Sequence, residues 1–154
     1  MSRFIDYPTL APQGYQAQAG LERYIRGCGL DHALLELVKT RVSQLNGCAF
    51  CIDMHTKDAR AAGESEQRLY LLSAWREAPC YTERERAALA WAEALTRVAS
   101  GHPEEALRTE LARHFDDKEI VDLTWAIVAI NGWNRISIGC NTPAGGYQPG
   151  QYAL

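Results

Sequence analysis

Apolar residues recur along this chain with a helical period almost throughout, and no segment sustains the two-residue alternation of a half-buried strand. A first helix is expected over about Gly14 to Arg26, stopped at Gly27. Asp31 caps a second, whose apolar stripe is Leu34, Leu35, Val38, Val42 and Leu45. Asn46-Gly47 ends it, since both residues tolerate the left-handed conformation of a helix C-terminus. A third helix opens at the cysteines that follow and runs to Gly63. Ser65 caps a fourth carrying Leu69, Leu72 and Trp75, which finishes before Pro79. Thr82 and Glu85 match a capping box ahead of Leu89, Trp91 and Leu95. Pro103 suits the first turn of a short sixth helix. Asp116 and Glu119 repeat the box before a long apolar helix, Asp117 to Ile138, through Ile120, Leu123, Ile127, Val128 and Ile130. Gly132 is expected to interrupt it. A helix apolar around so much of its circumference is either the central core helix or is buried against another subunit. The prediction is an all-α, single-domain bundle of about six to seven helices over 1–154, with a core at about 14–139 and an irregular tail over 140–154.

Composition narrows the class. With 154 residues, 47% hydrophobic and 23% charged, the chain can bury a core without disulfide staples. A net charge of −3 offers no basic face for nucleic acid. No apolar run approaches the roughly 18 residues of a membrane span. The start, Met1-Ser2-Arg3-Phe4-Ile5-Asp6-Tyr7-Pro8, lacks the apolar core of a secretory leader. A cytoplasmic, reducing setting is therefore expected, and the five cysteines do not read as a disulfide framework. Cys28, Cys80 and Cys140 stand alone and read as buried small apolar side chains.

Cys48-Ala49-Phe50-Cys51-Ile52-Asp53-Met54-His55 is different. On a helix Cys51 lies about 60° from Cys48 and His55 about 20° from it, so the dithiol and a base share one face. Position at a helix N-terminus favours a thiolate over a thiol. His55, four residues past Cys51, is placed to hydrogen-bond that thiol or take its proton. If the chain reverses at Asn46-Gly47, Glu36 lies about 15 Å from the turn on one helix and His55 about 12 Å from it on the next. The carboxylate then meets the histidine, directly or through water, and a relay from Glu36 to His55 to Cys51 results. Dipole and an expected greater exposure favour Cys48 as the attacking thiol, while spacing to His55 favours Cys51. Half a zinc site is the duller reading of the pair, but no second cysteine pair exists and only His55 could assist. Haem attachment fails because Ile52, not histidine, follows Cys51. A thioredoxin-like fold lacks its βαβ pattern. Glu36 alone, with Lys39 nearby, would read as a solvated helix residue; His32, His102 and His114 read as structural or exposed.

The pattern Glu36, Cys48-x-x-Cys51-x-x-x-His55 resembles the AhpD-like alkylhydroperoxidases within the carboxymuconolactone decarboxylase family. Leu45-Asn46-Gly47-Cys48, His55-Thr56-Lys57, Trp75-Arg76-Glu77, Glu85-Arg86-Ala87-Ala88-Leu89 and Asn131-Gly132-Trp133-Asn134-Arg135 are similar too, so the likeness spans roughly Leu30 to Ile138. The resemblance implies an all-helical fold assembling into homo-oligomers, commonly trimers or hexamers. It implies a peroxidase that reduces organic hydroperoxides, with Cys51 reacting with peroxide, Cys48 resolving, and Glu36 and His55 as the proton relay. It implies no metal, haem or flavin cofactor. An external thiol or dithiol reductant is needed to reset the pair. The family's decarboxylases lack the dithiol, which disfavours that activity. One departure stands out: the best-known peroxidases of the group have histidine immediately before the second cysteine, where this chain has Phe50. Two other readings compete, a general thiol–disulfide oxidoreductase and a non-enzymatic redox sensor.

Overall fold

The computed structural model describes residues 3–152. Among them there are eight α-helices and no strand: α1 (Tyr7–Leu10), α2 (Pro12–Gly27), α3 (His32–Asn46), α4 (Ala49–Ala61), α5 (Glu66–Leu71), α6 (Glu83–Thr96), α7 (Glu105–Ala112) and α8 (Asp117–Gly139). The helix boundaries follow the local chemistry. Asp31 accepts from the Leu34 amide at 3.0 Å and starts α3. Both capping boxes form, Thr82 with Glu85 and Asp116 with Glu119. Gly47 takes the left-handed conformation at φ 68° and closes α3, and the next amide, on Cys48, reaches back to the Ser43 carbonyl.

Four expectations need correction. A short helix, α1, precedes the first predicted one, capped by Asp6 with Pro8 in its first turn. The fourth predicted helix stops at Leu71 and tightens into a 3-10 turn over Leu72–Ala74. Pro103 lies outside α7, because Glu104 is still extended and α7 begins at Glu105. Gly132 does not interrupt α8, which runs unbroken to Gly139. The glycine serves packing instead: the Gln18 amide of α2 lies against it and donates to the Ala129 carbonyl at 2.8 Å. A Cβ at Gly132 would stand 2.8 Å from that same nitrogen.

At the centre is α3, packed against α4, α6 and α8, with every residue from Leu34 to Thr40 buried. Leu34, Leu35, Val38 and Val42 join Ala88 and Ala92 of α6 and Leu123, Ala126, Ile127 and Ile130 of α8 in the main core. Leu37 faces the other way, into a second core with Leu69, Leu72, Trp75, Tyr81 and Leu89. The long helix α8 buries one face there and leaves Val121, Trp125, Val128 and Ile138 exposed on another, so Val128 is not a core residue of the single chain. Cys28, Cys80 and Cys140 are half-buried, not buried.

Polar groups inside this bundle are paired. Glu93 of α6 is buried and accepts from Arg41 Nε at 2.8 Å and Trp75 Nε1 at 2.9 Å, with Arg76 on its second oxygen. Burial alone would raise its carboxyl; the hydrogen bonds from Trp75, Arg76 and Arg41 outweigh that and hold it below the usual carboxylate range. Removing this carboxylate strands Arg41 and the Trp75 N–H, so Glu93→Ala is expected to destabilise the fold by about 3 kcal/mol in urea unfolding at neutral pH. Because the folded-state carboxyl is depressed, its contribution is present above the unfolded value and lost as pH falls through the folded one. The difference between wild type and Glu93→Ala should therefore shrink in acid; a pH-independent difference would show that the charge is not what matters.

Candidate active site

Reversal of the chain at Asn46-Gly47 lays α4 beside α3 and sets the dithiol at the start of α4. Cys48 is the N-cap of that helix, and its sulfur accepts from the Cys51 amide at 3.3 Å. The two cysteines are joined as a disulfide, with Cα atoms 5.3 Å apart, well within the span such a bond bridges. Three-residue spacing at a helix start lets the bond close within one turn.

Four residues on from Cys51, His55 points into the bundle and meets Glu36 of α3, Nδ1 to Oε2 at 2.8 Å. The contact is direct, with no intervening water needed. Both side chains are about 95% removed from solvent, so Glu36 is not a solvated helix residue. His32, one turn earlier, is exposed and stands 3.9 Å from the other Glu36 oxygen. Burial alone would push the Glu36 carboxyl up. The hydrogen bond from His55 and the charges of His55, Lys39 and His32 outweigh it and hold the group below its ordinary range. An ionised Glu36 fixes His55 with Nδ1 turned toward it, which leaves Nε2 buried with no hydrogen-bond partner. A buried, unpaired ring nitrogen is costly unless something else is meant to occupy its site.

His55 lines a cavity of about 110 Å³. Cys51, His55 and Glu36 line it, and Cys48 does not. Greater exposure of Cys48 was expected; instead both cysteines are about 1% exposed, because Cys48 lies at the α3–α4 corner and packs into the main core. Access from the cavity favours Cys51. Phe50, immediately before Cys51, also lines the cavity. Its ring meets Tyr152 edge-on at 6.4 Å.

Several residues here carried no mark in the sequence reading. Lys39 and Glu22 form a buried ion pair in the cavity wall, and Trp133 Nε1 donates to the second Glu22 oxygen at 3.3 Å. A signal was present: Glu22 falls at core register between Ala19 and Ile25, and Lys39 between Leu35 and Val42. A charge on an apolar stripe calls for a partner. From Asn141 to Tyr152 the chain is without helix and is tied down onto α4. Lys57 of α4 donates to the Tyr147 carbonyl at 3.0 Å, and Asp53 accepts from the Gly145 amide at 3.0 Å. Tyr147 OH donates to Asp58 at 2.8 Å. Among the described residues, no three His, Cys, Asp or Glu side chains are placed to hold a metal ion, and no helix is long and apolar enough to cross a membrane.

Known proteins match this arrangement. The chain is 44% identical to the uncharacterized Bacillus subtilis protein YdfG over 94% of its own length and 98% of that protein's. It is 34% identical to the uncharacterized Escherichia coli protein YnjA over 76% of this chain and 64% of YnjA. A crystal structure from Agrobacterium tumefaciens, of a protein of unknown function assigned provisionally to antioxidant defence as AhpD, superposes with a TM-score of 0.91. That protein is 44% identical, and the match covers 95% of this chain and 100% of the other. The family model for carboxymuconolactone decarboxylases matches residues 12–94, which include Glu36, the dithiol and His55. With that match over more than half its length and an AhpD-like helical fold around the dithiol, the chain belongs to the carboxymuconolactone decarboxylase family.

Proposed function

We propose that this protein is a dithiol-dependent peroxidase that reduces organic hydroperoxides, with Cys51 as the attacking thiol. The observation that carries the reading is that Cys51, His55 and Glu36 line one cavity, with Glu36 bound to His55 Nδ1 and Nε2 left without a partner. Kinship with AhpD-like proteins supports a peroxidase-related oxidoreductase; the substrate and the residue roles below are our own reading.

In the reduced protein His55 takes the Cys51 proton, and Glu36 stabilises the resulting imidazolium. The thiolate attacks the terminal oxygen of the hydroperoxide and the O–O bond breaks. Its electron pair leaves on the alkoxide, which takes the proton from His55 Nε2 and departs as alcohol. Cys51 is left as a sulfenic acid. Cys48 then attacks that sulfur, the S–S bond forms and water leaves. At the N-cap, the Cys51 amide and the helix dipole stabilise Cys48 as a thiolate, which suits it both to this attack and to its later release. Two electrons from an external thiol or dithiol restore the pair. We also propose that copies associate through the exposed apolar stripe of Val121, Trp125 and Val128 on α8.

Consumption of cumene hydroperoxide by reduced protein tests the reading. Wild type should reduce peroxide and form the Cys48–Cys51 disulfide; Cys51→Ser should do neither, and Cys48→Ser should accumulate sulfenic acid trappable with dimedone. Sulfenic acid trapped in Cys51→Ser instead would exchange the two roles. A protein that leaves peroxide untouched but exchanges its disulfide with oxidised thiols would be a thiol–disulfide oxidoreductase.

The relay has its own signature. His55→Ala should slow peroxide consumption about 100-fold or more. Glu36→Gln keeps the shape but removes the charge behind the imidazolium, so the pH at which Cys51 becomes alkylatable by iodoacetamide should move up. Stability should also respond to pH. The Glu36 carboxyl is depressed in the fold, so its stabilisation is present at neutral pH and is lost as pH falls below about 4. Glu36→Gln should lack that acid-side loss in thermal unfolding; the same acid slope in both proteins would show the pair contributes nothing.

A further inference from the structure

Resting on the peroxidase reading, we propose that Met54 is a second oxidation site in the same cavity. Once Cys48 and Cys51 are joined, the hydroperoxide converts the Met54 thioether to its sulfoxide, which slows the enzyme until a methionine sulfoxide reductase restores it. Among the residues lining the cavity, Met54 carries the one thioether. It is half-buried and follows Cys51 by three residues in α4. That spacing places it about 60° round the helix and about 4.5 Å along it from Cys51. Side chains so spaced are neighbours, about 5–6 Å apart at Cβ. A hydroperoxide whose terminal oxygen reaches the Cys51 sulfur therefore lies beside the Met54 side chain as well.

The order of the two oxidations follows from nucleophilicity. A thiolate attacks peroxide far faster than a thioether does, so reduced protein directs its peroxide to Cys51. In the disulfide neither sulfur is a thiolate, yet the cavity is still present and still lined by Met54 and His55. The thioether sulfur then attacks the terminal peroxide oxygen; an S–O bond forms and the O–O bond breaks. The electron pair leaves on the alkoxide, which takes a proton and departs as alcohol. The hydroxysulfonium gives up its own proton and becomes the sulfoxide. Sulfur is oxidised by two electrons, the peroxide is reduced by two, and no other reactant is needed. A flexible apolar side chain becomes a polar, chiral one beside the attacking cysteine, so an apolar peroxide is seated less well. Met54 oxidation overtakes turnover only when hydroperoxide exceeds the thiol that resets the disulfide.

Treatment of the disulfide form with cumene hydroperoxide in the absence of thiol, followed by mass spectrometry of the peptide holding Met54, tests the site. Met54 should gain one oxygen atom about tenfold or more faster than N-acetylmethionine amide in the same solution. The alcohol product, 2-phenylpropan-2-ol, should slow that gain by competing for the cavity. A rate no higher than that of the free amide, or one indifferent to the alcohol, overturns the site. The shut-down is read in turnover with dithiothreitol limiting. Wild type should lose activity severalfold as Met54 is oxidised and regain it on treatment with methionine sulfoxide reductase. Met54→Leu, a volume-conserving change, should hold its own starting rate. Equal decline in both proteins overturns the shut-down. Protein already in the disulfide form needs no Cys51 chemistry, so the two readings fail separately. Reduced protein that consumes peroxide, while Met54 in the disulfide form stays unmodified, removes this inference alone. Reduced protein that leaves peroxide untouched, while Met54 is oxidised and the alcohol protects it, removes the peroxidase reading and keeps the site.

Discussion

A helix buried on every side cannot carry charge without partners, and α3 carries Glu36, Lys39 and Arg41 through the middle of this bundle. Each finds its partner on a different neighbour: Glu36 on α4 through His55, Lys39 on α2 through Glu22, and Arg41 on α6 through Glu93. Ser43 adds α8, accepting from Asn134 at 3.0 Å. Hydrophobic contact would tolerate small sliding of these helices against one another, but a buried hydrogen bond lost costs about 1–3 kcal/mol, more when a charge is involved. The polar partners of α3 therefore fix the register of four surrounding helices at once.

Two of those four contacts are also walls of the cavity. The pairing that sets register is the pairing that shapes the site: Glu36–His55 orients the base, and Glu22–Lys39 anchors Trp133. Lys39 has an electrostatic effect as well, since its charge one turn from Glu36 helps keep that carboxyl ionised. Cavity shape and stability are coupled through one buried helix, and substitutions at Glu36 or Glu22 act on both.

Much of this was legible along the chain because it is local. Caps at Asp31, Ser65, Thr82 and Asp116 and the stop at Gly47 depend on a few adjacent residues, and the turn there was enough to place Glu36 against His55. What depended on distant contacts was not legible. Gly132 reads as a helix breaker until Gln18 of α2 is seen lying against it. Cys48 reads as an exposed thiol until the α3–α4 corner covers it. The tail, with its glycines and prolines, offers no periodicity, and its place over the site follows only from Lys57, Asp53 and Asp58, which face it from α4. Glu22 and Lys39 lie between these cases. Their position on apolar stripes shows that each needs a partner, but not that the partner is the other.

Glu36 and Tyr147 line one cavity and are shifted in opposite directions. Glu36 is held low by its cationic neighbours, while Tyr147 is held high by burial, by Asp58 and, in smaller part, by the Glu36 charge itself. Between the lowered carboxyl and the raised phenol lies a wide span of pH in which neither titrates. Across it Glu36 remains the anion bound to His55 Nδ1, and Tyr147 remains the neutral donor to Asp58. The tail, which touches neither cysteine in its hydrogen bonds, is thus fastened to the helix that begins at the dithiol.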